Sequence, residues 1–415
     1  DYFGDFSYIE DVHSKNLWRY AVIAPKSREL RFNRPSYPLE SSTIEDNGKI
    51  IYSFEARDIP AMHKETDMPG ISEAAAYLHV STYRSWEELG RWYQGLLRHQ
   101  MVSDSRIRTE VKKLIEGKKT IREKVNAIYN WVVTATRYVG LEFGIHGYKP
   151  YRASQVVSRG FGDCKDKASL LITMLKEAGV TAEFVLIRTR DLGLIAPEPA
   201  SLAVFNHAIA YVPELKLYLD GTAEHHGIDE LPFGDQGASA LILRASGPVF
   251  VTTPIEPSNK NLVSIISKIE LDKEGNAKLH SSSTIKGKDA ATLRRGLESE
   301  ATRRDRFQSS LSLLFPGARL DKLHINSLSD LLKPVAYEFT ADLSHYAELI
   351  KDDLVVPLDD GLNLTSTYAR MQPRYYDLII GPARIMERTV EIVPPEGFVL
   401  ADFPKSAEIQ SRFGS

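Results

Sequence analysis

Cysteine is nearly absent from this chain of 415 residues, which contains only Cys164. A single cysteine cannot form an intramolecular disulfide, and it excludes metal sites built from clusters of thiolates. No apolar run approaches the ~20 residues that a transmembrane helix needs. The sequence also lacks internal repeats and low-complexity segments. These absences leave a globular chain without covalent cross-links or a membrane-spanning segment.

An excess of charge of either sign is absent too. The chain has 52 basic and 55 acidic residues, for a formal net charge of −3. Such a balance gives no general attraction for nucleic acid or for an anionic membrane, so we predict no nucleic-acid partner. The sequence shows no oxygen-rich calcium loop, and we predict no metal and no cofactor. The length predicts two or three domains.

The one cysteine lies where a glycine-rich turn becomes a helical pattern. Cys164 follows Gly160-Phe161-Gly162-Asp163, and Ala168, Leu171, Ile172 and Leu175 then recur at helical spacing up to Gly179. The first N–H groups of a helix are unpaired and carry partial positive charge, which favours a thiolate. This position therefore indicates a catalytic thiol. A small buried core residue is the alternative, because free cysteines usually play that part.

Possible partners of this thiol follow on two alternating, strand-like segments. His207 lies in the apolar run from Phe205 to Val212, and Asp220 lies in the alternating run from Leu215 to Thr222. Two adjacent antiparallel strands can place the histidine and the aspartate side by side. The carboxylate would then accept a proton from one imidazole nitrogen while the other nitrogen faces the thiol. This order of nucleophile, base and orienting acid is the one that activates a cysteine.

Four segments together carry a resemblance to the transglutaminase-like superfamily, with its papain-like Cys-His-Asp core. They are Gly-Asp-Cys-Lys-Asp-Lys-Ala-Ser-Leu-Leu (162–171), Ala-Gly-Val-Thr-Ala-Glu-Phe-Val-Leu (178–186), Asn-His-Ala (206–208) and Leu-Asp-Gly-Thr-Ala-Glu (219–224). The resemblance covers about residues 105 to 245. It implies Cys164 as nucleophile, His207 as base and Asp220 as the orienting acid. It also suggests bacterial relatives in which this core lies between two β-rich domains.

The strand after the histidine departs from the pattern of that superfamily. Many members have an Ala-Trp-Val-Glu type of sequence there, whereas this chain has Ala208-Ile209-Ala210-Tyr211. Without the tryptophan, the resemblance does not extend to recognition of an acyl acceptor or to protein cross-linking.

Further side chains are candidates for the same site. Tyr138 matches the strand before the cysteine in the superfamily, so it could donate to an oxyanion or merely cap the edge of the core. His146 could line the substrate cleft, but we favour a place in a glycine-rich loop. Lys165 and Lys167 follow the thiol, and we interpret them as a solvated helix face rather than a site for an acidic substrate group.

Three regions follow from the patterning, and together they predict an α+β chain. Residues 1–80 read as a β-sandwich-type domain, with a truncation at its start left open, and Asp46-Asn47-Gly48 marks a turn between two of its strands. Residues 81–245 hold the transglutaminase-like core, including helices opened by Ser85 and Thr120. Residues 246–415 read as a β-rich domain with one long helix from about Asp289 to Pro316. Its arginines 294, 295, 303, 304 and 306 are predicted on a solvated face.

Two functions remain open on this basis. The first is a cysteine-dependent acyl transferase or amide hydrolase that acts on a peptide or protein through a thioester acyl-enzyme. The alternative is a catalytically silent binding or scaffold module whose β-rich arms contact a protein or glycan. The arms, together with a first residue other than methionine, suggest a periplasmic or secreted protein, and a cytoplasmic location stays open.

Overall fold

A computed structural model describes residues 2–326, 328–357, 364–368, 373–411 and 414. The chain forms two compact units, which we call unit 1 (residues 1–261 and 364–383) and unit 2 (residues 262–363 and 384–415). Among the described residues, no helix has the length and apolar character needed to cross a membrane. The predicted division at residues 80 and 245 stays a prediction, since compact units need not coincide with domains.

Unit 1 begins with two small antiparallel sheets, ordered β2-β5-β4 and β1-β6-β3. Their elements are β1 (Gly4–Tyr8), β2 (Lys15–Pro25), β3 (Arg31–Phe32), β4 (Glu40–Asp46), β5 (Lys49–Ile59), α1 (Ile71–Ala74) and β6 (Tyr77–Ser81). Asn47 and Gly48 join β4 to β5 as a two-residue loop with positive φ at both positions, which confirms the predicted turn. Trp18 and Ala56 from one sheet and Leu78 from the other share an apolar cluster. The strand-like patterning therefore buries side chains of both sheets against each other.

The rest of unit 1 surrounds a five-stranded antiparallel sheet with the order β11-β10-β9-β12-β13. Its elements are α2 (Trp86–Leu97), α3 (Ser105–Ile115), α4 (Ile121–Ala135), β7 (Arg137–Tyr138), α5 (Ala153–Arg159), β8 (Phe161–Gly162), α6 (Cys164–Glu177), β9 (Glu183–Arg188), β10 (His207–Val212), β11 (Leu217–Leu219), β12 (Ser239–Arg244) and β13 (Gly247–Thr252). Helix α6 packs on β9 and β10 and is covered by α3, α4 and α5. Helix α6 is therefore the centre of this part of the molecule.

Local capping signals start two of these helices where the sequence predicted. The Ser85 hydroxyl accepts a hydrogen bond from the Glu88 N–H at the start of α2. Thr120 and Glu123 form a complete capping box before α4. The stripe of Val125, Ile128, Tyr129 and Val132 on α4 is buried, as predicted for a core face.

Helix α6 differs from the prediction of one buried face. All residues from Cys164 to Leu175 are buried, including Lys165 and Lys167. The reason is the position of the helix between a sheet on one side and three helices on the other. A sequence pattern with interspersed charges does not reveal such burial, because lysine is rarely buried without a partner. Gly179 follows the helix with a φ of 77°, as predicted for its end.

Unit 2 is built on a second five-stranded sheet with the order β16-β17-β15-β14-β20, in which only β14 and β20 are parallel. Its elements are β14 (Leu262–Leu271), β15 (Ala277–Ile285), α7 (Lys288–Gly296), α8 (Glu300–Leu314), β16 (Arg319–Ile325), β17 (Val335–Leu343), β18 (Glu348–Ile350), β19 (Asp353–Val355) and β20 (Ile385–Val393). A last helix, α9 (Leu364–Tyr368), belongs to unit 1. The predicted β14–β15 hairpin and the alternating strand from Val335 to Leu343 are both confirmed.

The prediction of one long helix in this region is wrong, because α7 ends before α8 begins. The last carbonyls of α7 accept hydrogen bonds from arginines of α8 rather than from a continuing helix. Arg306 donates to the Gly296 carbonyl at 2.8 Å, and Arg303 donates to the Leu297 carbonyl at 2.7 Å. Arg294, only 2% exposed, donates to the Lys333 carbonyl. These arginine contacts bridge the break between the two helices. The predicted solvated face is wrong for Arg294, which is buried, whereas Arg303 is half-buried and Arg306 is exposed.

Two glycines of α2, Gly90 and Gly95, differ in how closely they approach β13, and this difference can be tested. A Cβ at Gly90 would lie 2.6 Å from Pro248, whereas a Cβ at Gly95 meets nothing within 4 Å. We expect Gly95→Ala to stabilise unit 1 by about 0.5–1 kcal/mol through helix propensity. Gly90→Ala should destabilise it by roughly 1–3 kcal/mol through overpacking.

Urea unfolding followed by tryptophan fluorescence measures both changes, because all 4 tryptophans lie in unit 1. Stabilisation by Gly90→Ala would contradict the close approach of α2 and β13.

Candidate active site

The thiol of Cys164 is placed by the first turn of α6. Asp163 is the N-cap of this helix, and its carboxylate accepts a hydrogen bond from the Asp166 N–H at 3.1 Å. Asp166 completes the capping box by accepting from the Asp163 N–H. Cys164 is the first helical residue and is 9% exposed. Its own N–H belongs to the first turn, where a helix has no internal acceptor to offer.

His207 and Asp220 reach this thiol from adjacent antiparallel strands. Ala210 on β10 pairs with Leu219 on β11, and continuing this register brings Asp220 close to His207. His207 Nε2 lies 3.3 Å from Asp220 Oδ1. The Cys164 thiol also acts on the His207 imidazole and helps to raise its pKa. The structure therefore brings the three predicted residues together, with the imidazole between the thiol and the carboxylate.

The electrostatics of the pair favour a charged imidazole. Burial would lower the pKa of His207, but the Asp220 carboxylate and the Cys164 thiol raise it well above its ordinary value. Burial also opposes ionisation of Asp220. The charge of His207 and the donors of Thr222 outweigh this effect and hold the pKa of Asp220 below its usual range. The Thr222 N–H and hydroxyl each lie 2.8 Å from Asp220 Oδ1.

A second buried carboxyl stands beside this pair, and the sequence did not reveal it. Asp235 is 2% exposed and lies in the short turn before β12. One ligand atom each from Asp235, Asp220 and His207 lie within 4.8 Å of one another. Burial and the charge of Asp220 raise the pKa of Asp235 to about 8. The only signal in the sequence is a lone aspartate between Gly234 and Gly237, which is typical of a turn.

Charged side chains around the start of α6 are paired in the interior. Lys165 Nζ lies 2.6 Å from Asp163 and 3.4 Å from Glu142, and Arg159 donates to Asp166 at 2.7 Å. Burial would lower the pKa of Lys165, but Asp163 and Glu142 raise it. The predicted solvated face for Lys165 is therefore wrong, and its ammonium neutralises the helix cap.

Lys167 is also buried, where a solvated position was predicted. Its Nζ donates to the Thr136 carbonyl at 2.6 Å, which ties α6 to the end of α4. A Cβ at Gly221 would lie 3.2 Å from Lys167 Cβ. The glycine after Asp220 thus lets the loop that carries the Asp220 carboxylate approach α6 closely.

Tyr138 lies next to the start of α6 but points partly to solvent. It pairs with Gly162 between the parallel strands β7 and β8, and its side chain is 52% exposed. Partial burial raises the pKa of the phenol to about 12, and the charges of Cys164 and Asp163 add to the effect. Tyr138 is thus a neutral hydroxyl donor near the thiol over the whole physiological range. Its part in catalysis stays a prediction.

His146 is held by its own loop, as the sequence analysis favoured. Its ring stacks on Tyr151 with centroids 3.8 Å apart, and its Nδ1 donates to the Lys149 carbonyl at 2.9 Å. No hydrogen bond joins His146 to Cys164 among the described residues. The same loop exposes three large apolar side chains: Phe143, Ile145 and Tyr148. These three exposed apolar side chains follow Tyr138 closely in the sequence.

The group of His207, Asp220 and Asp235 is the only set of three possible metal ligands among the described residues. However, His207 Nε2 and Asp220 Oδ1 face each other, and Oδ1 also faces the donors of Thr222. A cation would have to displace these interactions.

Comparisons with known proteins agree with this fold. Residues 108–213 match the model of the transglutaminase-like superfamily, a segment that contains Cys164 and His207 and ends before Asp220. A putative protease from Parabacteroides distasonis ATCC 8503 has a similar structure, with a TM-score of 0.56 and 16% identity over 82% of this chain and 69% of that chain. At this identity the likeness concerns the fold alone.

A putative cysteine protease from Cytophaga hutchinsonii matches 60% of this chain and 83% of that chain, with a TM-score of 0.26 and 13% identity. No curated protein matches the chain. The matched segment includes the helix of Cys164 and the strand of His207, and the fold agrees with the first of these structures. Residues 108–213 of this chain form a domain of the transglutaminase-like superfamily.

Proposed function

We propose that the protein is a cysteine-dependent acyl transferase or amide hydrolase that uses Cys164, His207 and Asp220. The observation that supports this most strongly is the position of His207, 3.3 Å from Asp220 and close enough to Cys164 for the thiol to raise its pKa. A protein of purely structural function has no physical need for a partly buried base between a thiol and a carboxylate. The substrate is a peptide or protein, attacked at an amide or thioester carbonyl.

The reaction follows from the placement of these groups. His207 takes the proton of Cys164, and the thiolate attacks the carbonyl carbon. The oxyanion that forms is stabilised by the Cys164 N–H at the start of α6 and by the Tyr138 hydroxyl. Collapse of the intermediate breaks the bond to the leaving group, which takes its proton from His207. Water or an amine then attacks the thioester, with His207 as base, and frees Cys164.

We favour water or a small amine as the acceptor of the acyl group. Residues 208–210, which follow the histidine, are all buried alanine or isoleucine, so this strand presents no tryptophan to an acceptor. We therefore favour hydrolysis or transfer on a peptide-like substrate over protein cross-linking. The exposed apolar side chains of Phe143, Ile145 and Tyr148 provide a surface for the acyl-donor peptide.

A silent binding module is the second candidate, and one observation favours it. Cys164 is only 9% exposed, so a substrate carbonyl has little direct access to its sulfur. In this case the β-rich arms would contact a protein or a glycan. In either case the location we propose is periplasmic or secreted. The reactivity of the thiol distinguishes the two functions.

Alkylation of Cys164 by iodoacetamide is the first test, since the chain has 1 cysteine and labelling is therefore specific. Because the pKa of His207 is raised well above its ordinary value, a charged imidazole next to Cys164 persists through neutral pH. We expect fast alkylation at pH 6, slowed about 10-fold or more in His207→Ala.

In that variant the rate should rise with pH as for an ordinary thiol, whose pKa is about 8.5. His146→Ala is a matched control, since this histidine contacts its own loop. Equal and slow labelling of wild type and His207→Ala would favour the binding module.

The orienting carboxylate is tested by Asp220→Asn. The amide keeps the shape of the side chain but no longer holds an imidazolium, so we expect kcat to fall on the order of 10²–10⁴-fold with little change in KM. Turnover of a peptide amide measures both constants. Glu224→Gln removes an exposed carboxylate from the same loop and serves as the control. A normal kcat in Asp220→Asn would refute the assignment.

The oxyanion donor is tested by comparing Tyr138→Phe with Phe143→Ala. Loss of the Tyr138 hydroxyl should lower kcat by about 10–100-fold, because its hydrogen bond forms with the charged transition state. Loss of the exposed Phe143 ring should raise KM and leave kcat unchanged. If Tyr138→Phe changed neither constant, Tyr138 would only cap the edge of the core.

A further inference from the structure

We propose that Asp235 is a fourth member of the site, a carboxylic acid that stays protonated and donates a hydrogen bond to the Asp220 carboxylate. In this position it is a positioning residue: it fixes Asp220, and Asp220 in turn fixes His207. The inference rests on the proposed function and deepens it.

The position of Asp235 brings its carboxyl to Asp220 rather than to solvent. Its side chain is 2% exposed, and its Oδ2 is buried without a hydrogen bond from any described residue. The backbone around it is firmly held. The Asp235 N–H donates to the Pro232 carbonyl at 2.9 Å, and the Thr253 hydroxyl donates to the Asp235 carbonyl. The carboxyl thus has a fixed place and lacks a donor of its own.

Ionising two adjacent buried carboxyls costs much free energy, because their negative charges repel each other. The carboxyl with more hydrogen-bond donors around it therefore carries the charge, and the other keeps the proton. Asp220 faces His207 and receives the N–H and hydroxyl donors of Thr222. Asp235 Oδ2 receives none. The negative charge therefore resides on Asp220 and the proton on Asp235. A protonated Asp235 also removes the unsatisfied atom, because its O–H then has Asp220 as acceptor.

The charged groups that act on Asp235 agree with this assignment. Burial is the largest influence on its pKa and raises it, followed by the charge of Asp220; Asp191 also raises it, and His207 lowers it. The nearby Tyr129 hydroxyl faces the Ala223 carbonyl and so does not serve as its donor. The resulting pKa of about 8 keeps Asp235 protonated at neutral pH. Above that pH a second negative charge would appear beside Asp220.

Two effects follow for the site. A donor on Asp220 restricts rotation of its carboxylate, so Oδ1 stays directed at His207 Nε2. Ionisation of Asp235 would repel Asp220 and disturb this alignment, so activity should decline as the pH rises through about 8. Asp235→Asn keeps an N–H donor and cannot ionise, whereas Asp235→Ala has neither property.

The protonation state can be measured without any substrate. A carboxyl whose pKa is raised on folding stabilises the protein fully below its unfolded pKa of about 4, and this contribution is lost as pH rises towards the folded value. We therefore expect Asp235→Asn to melt progressively higher than wild type between pH 5 and 8, with a constant difference above pH 8. A difference that does not change with pH would overturn the proposal.

The positioning role is measured by alkylation of Cys164 in the same variants. Asp235→Asn should retain most of the wild-type rate at pH 7 and lose the decline near pH 8, and Asp235→Ala should be about 10-fold slower at pH 7. Asp191→Asn, which removes an exposed nearby charge, is the matched control and should keep the decline. Equal rates in Asp235→Ala and wild type would overturn the positioning role.

The outcome is separable from failure of the proposed function. If His207→Ala leaves alkylation unchanged, the proposed function fails, while the melting experiment still reports the proton on Asp235. If His207→Ala slows alkylation but the melting difference does not depend on pH, only the Asp235 proposal fails. Asp235→Asn preserves size and a donor, so it keeps the test valid if Asp235→Ala does not fold.

Discussion

The arrangement of this site depends on the burial of the N-terminus of α6 together with its charges. A helix start favours acidic residues, but a buried carboxylate is costly unless it is paired. Here Asp163 has Lys165 at 2.6 Å, and Asp166 has Arg159 at 2.7 Å. Because each acid holds both a backbone N–H of the first turn and a cation, the turn that carries Cys164 has little freedom to move. A thiol on a mobile loop could not be held against His207 in this way.

On the opposite side of the thiol, buried carboxylates also need a compensating partner, but the partner differs from that at the start of α6. Around α6 the buried acids are paired with lysine and arginine, whereas Asp220 lies 3.3 Å from His207, and the carboxyl of Asp235 lies within 4.8 Å of both. The net charge of two acids and one imidazole is zero when one acid keeps its proton and the imidazole is charged. The directions of the three pKa shifts describe that state: lowered for Asp220, raised for Asp235 and raised for His207. A proton on Asp235 and a charged His207 therefore offset the buried carboxylates here, as Lys165 and Arg159 do at the start of α6.

Features with a local physical cause could be predicted from the sequence, and features with a tertiary cause could not. Thr120 with Glu123, Asn47 with Gly48 and the order of Cys164, His207 and Asp220 each rest on residues close in sequence or on a known pattern. The sequence gives no such signal for Asp235, because only the tertiary fold brings the turn before β12 next to His207 and Asp220. Burial of Lys165 and Lys167 follows from what packs over α6. The break between α7 and α8 was missed because the apolar spacing continues through it, while arginine contacts to Gly296 and Leu297 determine where the chain turns.

The N-terminal strands are tied to the segment that leads to His207. Arg188, 4% exposed, ends β9 and donates to the carbonyls of Gly193 at 2.9 Å and Val204 at 3.0 Å. The same guanidinium donates to the Tyr8 hydroxyl at 3.1 Å and lies 5.3 Å from the ring of Phe6, both on β1. One buried cation thus fixes the connection between β9 and His207 and joins it to the first sheet. Removing residues 1–80 would leave this cation without two of its contacts, so the predicted boundary at residue 80 cuts through the support of the loop that precedes His207. The first strands therefore belong to the framework of the site, whatever they contact outside the chain.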